Sequence, residues 1–356
     1  MSGSRRLTAG AQRDGAVIST GAARSVRCLG RRALLVLTMV VSVLVGAPPV
    51  AMAMVSPAGV ATPVVSGAYV GGINVAQLAA FGAWRGRGVE MTNDFLPADS
   101  WSAIEGPSWF LDTWSKVAAP LVLGVPLLPG DGSTLAIGAT GAYDAHFRTL
   151  ATRLVASGQA DATLRLGWEF NGNWFGWSSV GHEVAFIAYW RHVVDAMRSV
   201  PGQQFDVEWN PTLGSGQPGY AVEKAWPGDA YVDSIGLDVY DSIWGDSTAT
   251  PAQRWSAVQD GRYGLDWWAD WALTHSKRLG FPEWGLVDKA SQNGGGGGDN
   301  PLFITSFFDW IRVHDVRYET YFDVDVPDGK HLLDSGQFPN AARVYQAVSS
   351  ANAPRH

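Results

Sequence analysis

Eight short apolar runs recur along the chain, separated by stretches whose apolar positions keep helical spacing. The runs are GAYVGG (67–72), VEMTNDF (89–95), PLVLGVPLL (120–128), ATLRLGWEF (162–170), FDVEWNP (205–211), SIGLDVY (234–240), RLGFPEWG (278–285) and VRYETYFDVD (316–325). The clearest helical segment is HEVAFIAYWRHVVDAMRS (182–199), where Val184, Ile187, Trp190, Val194 and Met197 fall on one predicted face. AYDAHFRTLATRLVAS (142–157), DWWADWALTHS (266–276), LFITSFFDWIRVH (302–314) and NAARVYQAVS (340–349) read the same way. Strand followed by helix, eight times, predicts a single-domain α/β protein, a (β/α)8 TIM barrel over residues 66–356. A doubly wound open sheet is the alternative, but no glycine-rich nucleotide loop follows any run. GGGGG (294–298) is expected to be a mobile loop tip beside the cleft, after the seventh strand.

The first 53 residues do not belong to this pattern. Seven arginines precede ALLVLTMVVSVLVG (33–46), and small residues follow at Ala51 and Ala53. A basic segment, a short apolar segment and small residues predict a signal peptide over 1–53. The apolar run is shorter than the about 20 residues a membrane span needs, although an uncleaved anchor is the alternative. Cleavage would leave MVSPAGVATPVV (54–65) as a linker, and the protein is expected to be secreted. Residues 1–53 hold seven arginines against Asp14, so their removal takes the net charge from −7 to −13. An acidic chain without basic runs argues against nucleic acid, and against a membrane partner once processed. The single cysteine, Cys28, falls in the removed part, which excludes disulfides and thiol chemistry from the remainder. A monomer is expected.

In a barrel of this kind, chemistry gathers at the C-terminal ends of the strands. Those ends are predicted at Gly71-Gly72, Asn93-Asp94, Pro126, Glu169–Asn171, Trp209-Asn210, Asp238–Tyr240, Glu283-Trp284 and Asp323–Asp325. They are acidic, amide-rich and aromatic, and seven of the eight carry no Lys, Arg or His, the exception to note being Arg165 inside the fourth run. This suits a neutral polyhydroxylated ligand, with indole faces against sugar C–H surfaces and amides on hydroxyls. Candidate sugar contacts at these ends are Trp168, Asn171, Trp209, Asn210, Asp238, Tyr240 and Trp284. Glu169 and Glu283 end the fourth and seventh strands, which can face each other across the mouth. Retaining glycosidases use two carboxyls about 5–5.5 Å apart, one as acid/base and one as nucleophile. The acid/base needs a raised pKa, for which Trp168 and Trp174 are the expected causes; Tyr240 is the expected donor to the nucleophile. Each acid alone also reads as a solvated loop residue, and the indoles also read as core. No metal or cofactor is expected: Asp238, Asp241, Asp323 and Asp325 match no calcium-loop spacing. No G-x-S-x-G supports a serine hydrolase.

Four motifs, in order, resemble glycoside hydrolase family 26, a family of (β/α)8 retaining enzymes best known for β-mannanases. WEFNGNWFGW (168–177) resembles its acid/base segment and VEWNP (207–211) its strand-five Trp-Asn-Pro. WPGDAYVDSIGLDVYD (226–241) resembles the segment ending in Asp-x-Tyr, and PEWG (282–285) the nucleophile segment. The resemblance implies Glu169 as general acid/base, Glu283 as nucleophile and Tyr240 as the nucleophile's partner. It also implies Asn171, Trp174, Trp177 and Trp209 as sugar contacts, a β-linked oligo- or polysaccharide as substrate, and retention of configuration. One departure stands out. The family's His before the acid/base is Trp168 here, so β-mannan as substrate does not follow; a β-glucan, xylan or cell-envelope glycan is the alternative. A carbohydrate-binding protein on the same fold is the other.

Overall fold

The computed structural model describes residues 64–351. The expected signal peptide and all but the end of the expected linker lie outside the described residues; Val65 is no linker residue and opens the first strand.

Eight parallel strands close into a barrel in sequence order, β1 (Val65–Tyr69), β2 (Thr92–Phe95), β3 (Leu121–Val125), β4 (Thr163–Leu166), β5 (Asp206–Trp209), β6 (Ser234–Tyr240), β7 (Arg278–Gly285) and β8 (Val316–Phe322). β8 pairs with β1 from Val65↔Tyr318 to Tyr69↔Phe322, which completes the circle and leaves no sheet edge. Strands such as LVLGV in β3 are buried along their whole length because they have barrel interior on one face and helices on the other. Among the longer helices are Val75–Trp84, Asp144–Ala156, Glu183–Arg198, Leu265–Thr274, Pro301–Val313 and Pro339–Ala351. β5 and β6 are joined by two 3-10 turns, Val222–Ala225 and Asp229–Tyr231, with no α-helix between them.

Local chemistry sets these elements. Glu183 and Arg198 sit at the ends of their helix where the backbone dipole favours an acid and a base. Asn300 caps Pro301–Val313 by accepting from the Phe303 amide, with Pro301 in the first turn. The predicted face of Glu183–Arg198 needs correction. Phe186, Tyr189, Trp190, Val193, Val194 and Met197 are buried, whereas Val184 is 85% exposed. The two large rings at 186 and 189 turn the helix about its axis relative to the aliphatic stripe.

β7 departs from regular alternation in a way that matters for the site. Phe281 and Trp284 both pack outward on Phe307 of the helix Pro301–Val313, although they are three residues apart. The register against β8 shifts between them, and against β6 between Gly236 and Asp238. The bulge leaves Pro282 and Glu283 between two outward rings, and Glu283 reaches inward to Arg165.

The glycine run is not a loose tip. Ile243 donates to the Gly295 carbonyl (3.0 Å), Gly297 donates to the Asp241 carbonyl (2.9 Å), and Gly298 donates to that of Val287 (2.8 Å). A Cβ at Gly295 would lie 1.9 Å from the Ile243 oxygen, and one at Gly297 would lie 1.8 Å from the Asp241 carboxylate. The glycines are there because the β6 and β7 loops lie backbone to backbone. Among the described residues no helix is long and apolar enough to cross a membrane, and no group of three or more His, Cys, Asp or Glu is placed to hold a metal.

Candidate active site

Glu169 lies three residues beyond β4 on a tight turn. Gly167 and Glu169 both adopt left-handed backbone, φ 53° and 52°. For Glu169 that conformation costs on the order of 1 kcal/mol. The turn is held by the Glu169 amide, which donates to the Asn210 carbonyl at 2.7 Å and so ties the ends of β4 and β5 together. The carboxyl is half-buried and accepts the Trp174 indole N–H at 2.8 Å. Burial, then repulsion from Glu283, pushes its pKa up to about 7. The expected part of Trp174 in that shift is corrected: its N–H bonds the ionised form and pulls the pKa down, against the larger effect of burial.

Glu283 is buried on the β7 bulge. One oxygen accepts from the Arg165 guanidinium at 2.6 Å and the other from the Tyr240 hydroxyl at 2.8 Å. Burial raises the Tyr240 pKa, and the Glu283 charge raises it further, so the phenol stays a neutral donor.

Arg165 organises this centre. It rises from β4 into the barrel, fully buried, and spans Glu283, both oxygens of Asp238 (2.9 Å each), Asn93 and Asn210. Burial works against its charge, but Asp238 and Glu283 more than compensate and its pKa is raised. Asp238 moves upward too, because burial and the carboxylates Glu283 and Glu169 outweigh the guanidinium. One cation thus serves three acids, and burial with repulsion from Glu283 favours a proton on Glu169, the member with solvent access. The sequence signal for Arg165 was a lone cation inside an apolar strand run.

Above this centre runs an arc of aromatic rings. Trp168 leans on Phe175 and Phe95, each at 5.1 Å; Phe95 meets Tyr69 at 5.1 Å, Tyr69 meets Phe322 at 5.0 Å, and Phe322 meets Tyr240 at 5.9 Å. Tyr69, Phe95, Phe175 and Phe322 were not singled out in the sequence; their positions at strand ends β1, β2 and β8 and on the β4 loop were the available signal. Asp94 braces the β1 loop by accepting from the Ile73 amide and the Trp114 indole, both at 2.8 Å.

Several expected sugar contacts lie elsewhere. Trp209 is fully buried among Phe170, Trp226 and Trp268, and Trp284 is fully buried against Phe307 with its N–H on Glu319. Both point outward from the barrel into the helical layer, where no sugar reaches. Trp177 is buried and donates to the Trp168 carbonyl, so it shapes the turn from below. Asn171 is buried and staples the β4 loop to the β5 loop through Thr212 and Gly214. Asn210 and Asp238 are buried too and spend their hydrogen bonds on Arg165 and each other. Trp174, 49% exposed, and Tyr240, half-buried, keep open surface at the mouth, and Trp168 keeps an edge.

Residues 154–255 match the model of glycosyl hydrolase family 26. The chain resembles that family. The matched stretch holds the Glu169 turn and the Asp238 and Tyr240 strand but stops short of Glu283. Endoglucanase H of Acetivibrio thermocellus is 30% identical over 122 residues, which are 33% of this chain and 13% of that protein's length. Among solved structures, a Cellulomonas fimi endo-beta-1,4-mannanase double mutant superposes with a TM-score of 0.57 at 18% identity, over 81% of this chain and 71% of that one. A family 26 β-mannanase from Bacteroides ovatus superposes with a TM-score of 0.57 at 15% identity, over 82% and 89%. A Bacillus subtilis mannanase gives 0.54 at 14% identity, over 79% and 84%. At such identities the superpositions establish the shared (β/α)8 barrel and nothing finer.

Proposed function

We propose that the protein is a retaining endo-β-glycosidase acting on a β-linked polysaccharide. The observation that carries this reading is a pair of differently treated carboxyls at one barrel mouth. Glu283 receives a guanidinium and a phenol, while Glu169 is pushed up to about 7. A Glu283 oxygen attacks the anomeric carbon as the bond to the leaving oxygen breaks, and the Glu169 proton passes to that oxygen. The glycosyl–Glu283 ester then yields to water, whose proton returns to Glu169. Arg165 and Tyr240 hold the Glu283 carboxylate in place and offset its charge between turnovers.

The test is a panel of β-mannan, β-glucan and xylan, with product configuration followed by NMR from the first turnovers. Retained configuration supports the reading; inversion, or full activity in Glu283→Ala, ends it. Glycan binding without any turnover would support a binding protein on the same barrel.

A β-glucan substrate is the favoured second reading over β-mannan. It rests on the endoglucanase match and on Trp168, an indole edge where the family has a hydrogen-bonding His. The relative rates on β-glucan and β-mannan decide between them. We further propose that the protein is exported as a monomer after removal of residues 1–53; sequencing the N-terminus of the exported chain should find Met54.

A further inference from the structure

Among the described residues, the most exposed tryptophan is one the proposed reaction does not use. Trp244 is 71% exposed and sits four residues beyond Tyr240, the donor to Glu283. It occupies the first corner of a turn closed by the Asp246 amide on the Ile243 carbonyl (3.0 Å), with Gly245 at φ 72° in the second corner. No described ring stacks on it. A turn corner ordinarily carries a polar residue, and hydrating an indole there is unfavourable.

The mount is rigid. Ile243 and Gly245 donate to the carbonyls of Gly295 and Gln292, each at 3.0 Å, and Ser242 bridges to Gly296. Arg254 reaches the carbonyls of both Gly295 and Asp246, clamping the two loops. Gln292 and Asn293 both adopt left-handed backbone, and the Gln292 side chain holds the Asp328 carbonyl in the β8 loop (3.1 Å). Three loops of the mouth are thereby joined, with backbone strain and glycines that admit no Cβ, beneath one exposed indole. Strain of this kind persists only where surrounding structure enforces it, and it clusters at ligand sites.

We propose that Trp244 is the platform of a distal sugar subsite, which stacks on a unit of the same polysaccharide chain beyond those at Glu169 and Glu283. The occupant follows from continuity: the indole lies on the same β6 loop and the same mouth as Tyr240. A flat, uncharged, rigid face fits the C–H face of a pyranose, and its fixed mount lowers the ordering needed on binding. This rests on the glycosidase reading, and it makes efficiency grow with substrate length.

The experiment compares wild type, Trp244→Phe and Trp244→Ala on the best polysaccharide and on a short activated glycoside of the same sugar. Retardation in native gels containing the polysaccharide is measured alongside and needs no turnover. Trp244→Ala is expected to lose roughly tenfold in kcat/KM on the polymer, through KM, and to lose retardation, with a far smaller effect on the short glycoside. Trp244→Phe should recover part of the loss. Equal losses on both substrates, or unchanged polymer kinetics and retardation in an active enzyme, overturn the platform. A wild type that neither turns over nor is retarded by any glycan overturns the functional reading instead, and the subsite with it.

Discussion

Glu169 and Glu208 are both glutamates of one barrel, and burial lifts both to about 7. Glu169 stands at the mouth, half-buried, with one indole donor. Glu208 lies inside β5 with no solvent access. It accepts the Tyr318 hydroxyl at 2.8 and 2.9 Å, and Gly236 and Gly280 make room where a Cβ would strike its oxygens. The comparison teaches that a raised pKa locates buried acids in general. Access and a second, differently held carboxyl are what separate a candidate acid/base from a structural one.

The largest test of that separation is activity. Glu169→Ala and Glu283→Ala should each lose at least about 10³-fold in kcat on a natural glycan, while Glu208→Gln stays within a few-fold of wild type. A hundredfold loss in Glu208→Gln would erase the distinction between mouth and interior. Next comes Arg165→Met, which leaves Glu283 and Asp238 buried without their cation. It should cost about 3–5 kcal/mol in denaturant unfolding, well beyond the effect of removing a surface arginine such as Arg278. A loss near that of Arg278→Met would mean that the acids lose their charge with the cation and no ion pair was there to break.

A smaller, more specific effect concerns pH. If Glu169 must donate a proton, kcat/KM should fall as pH rises through about 7. Trp174→Phe removes a donor to the ionised form, so the falling limb should move to higher pH. A limb that stays put, or moves to lower pH, assigns it to another group. The smallest effect is in stability. An acid whose pKa is raised by folding contributes stability below its unfolded value, about 4.3, and loses it as pH rises through the folded value of about 7. Glu208→Gln should therefore gain Tm relative to wild type between pH 4.5 and 8, by a few degrees, and Glu169→Gln should do likewise. A Tm difference that is flat with pH for Glu208→Gln alone would show that Tyr318 and the nearby arginines keep that group ionised.

The strand pattern was legible because each barrel strand is a compact apolar run, and the expected ends at Glu169, Asp238–Tyr240 and Glu283 lie within three residues of real ones. The indoles were not legible. Trp174 lies past β4 while Trp209 and Trp284 lie at the ends of β5 and β7, and transfer from water favours burying each of them, so composition does not tell a mouth from a helical layer. Their fate depends on strand alternation, which the β7 bulge interrupts. Arg165 itself stood out as a cation in an apolar run, but its role as a hub did not, since its partners come from β2, the end of β5, β6 and β7, far apart in sequence. The glycine run misled because flexibility of glycine in isolation says nothing about what backbone lies against it.

The β7 bulge also sets how the chain tolerates change in length. Deleting Pro282 would leave Phe281, Glu283 and Trp284 in strict alternation, ring outward, carboxyl inward, ring outward, so the strand downstream keeps its faces. One residue inserted into a regular barrel strand, by contrast, would exchange the faces of everything beyond it. The bulge is thus a stretch of β7 where one residue can be lost without turning Trp284 into the barrel.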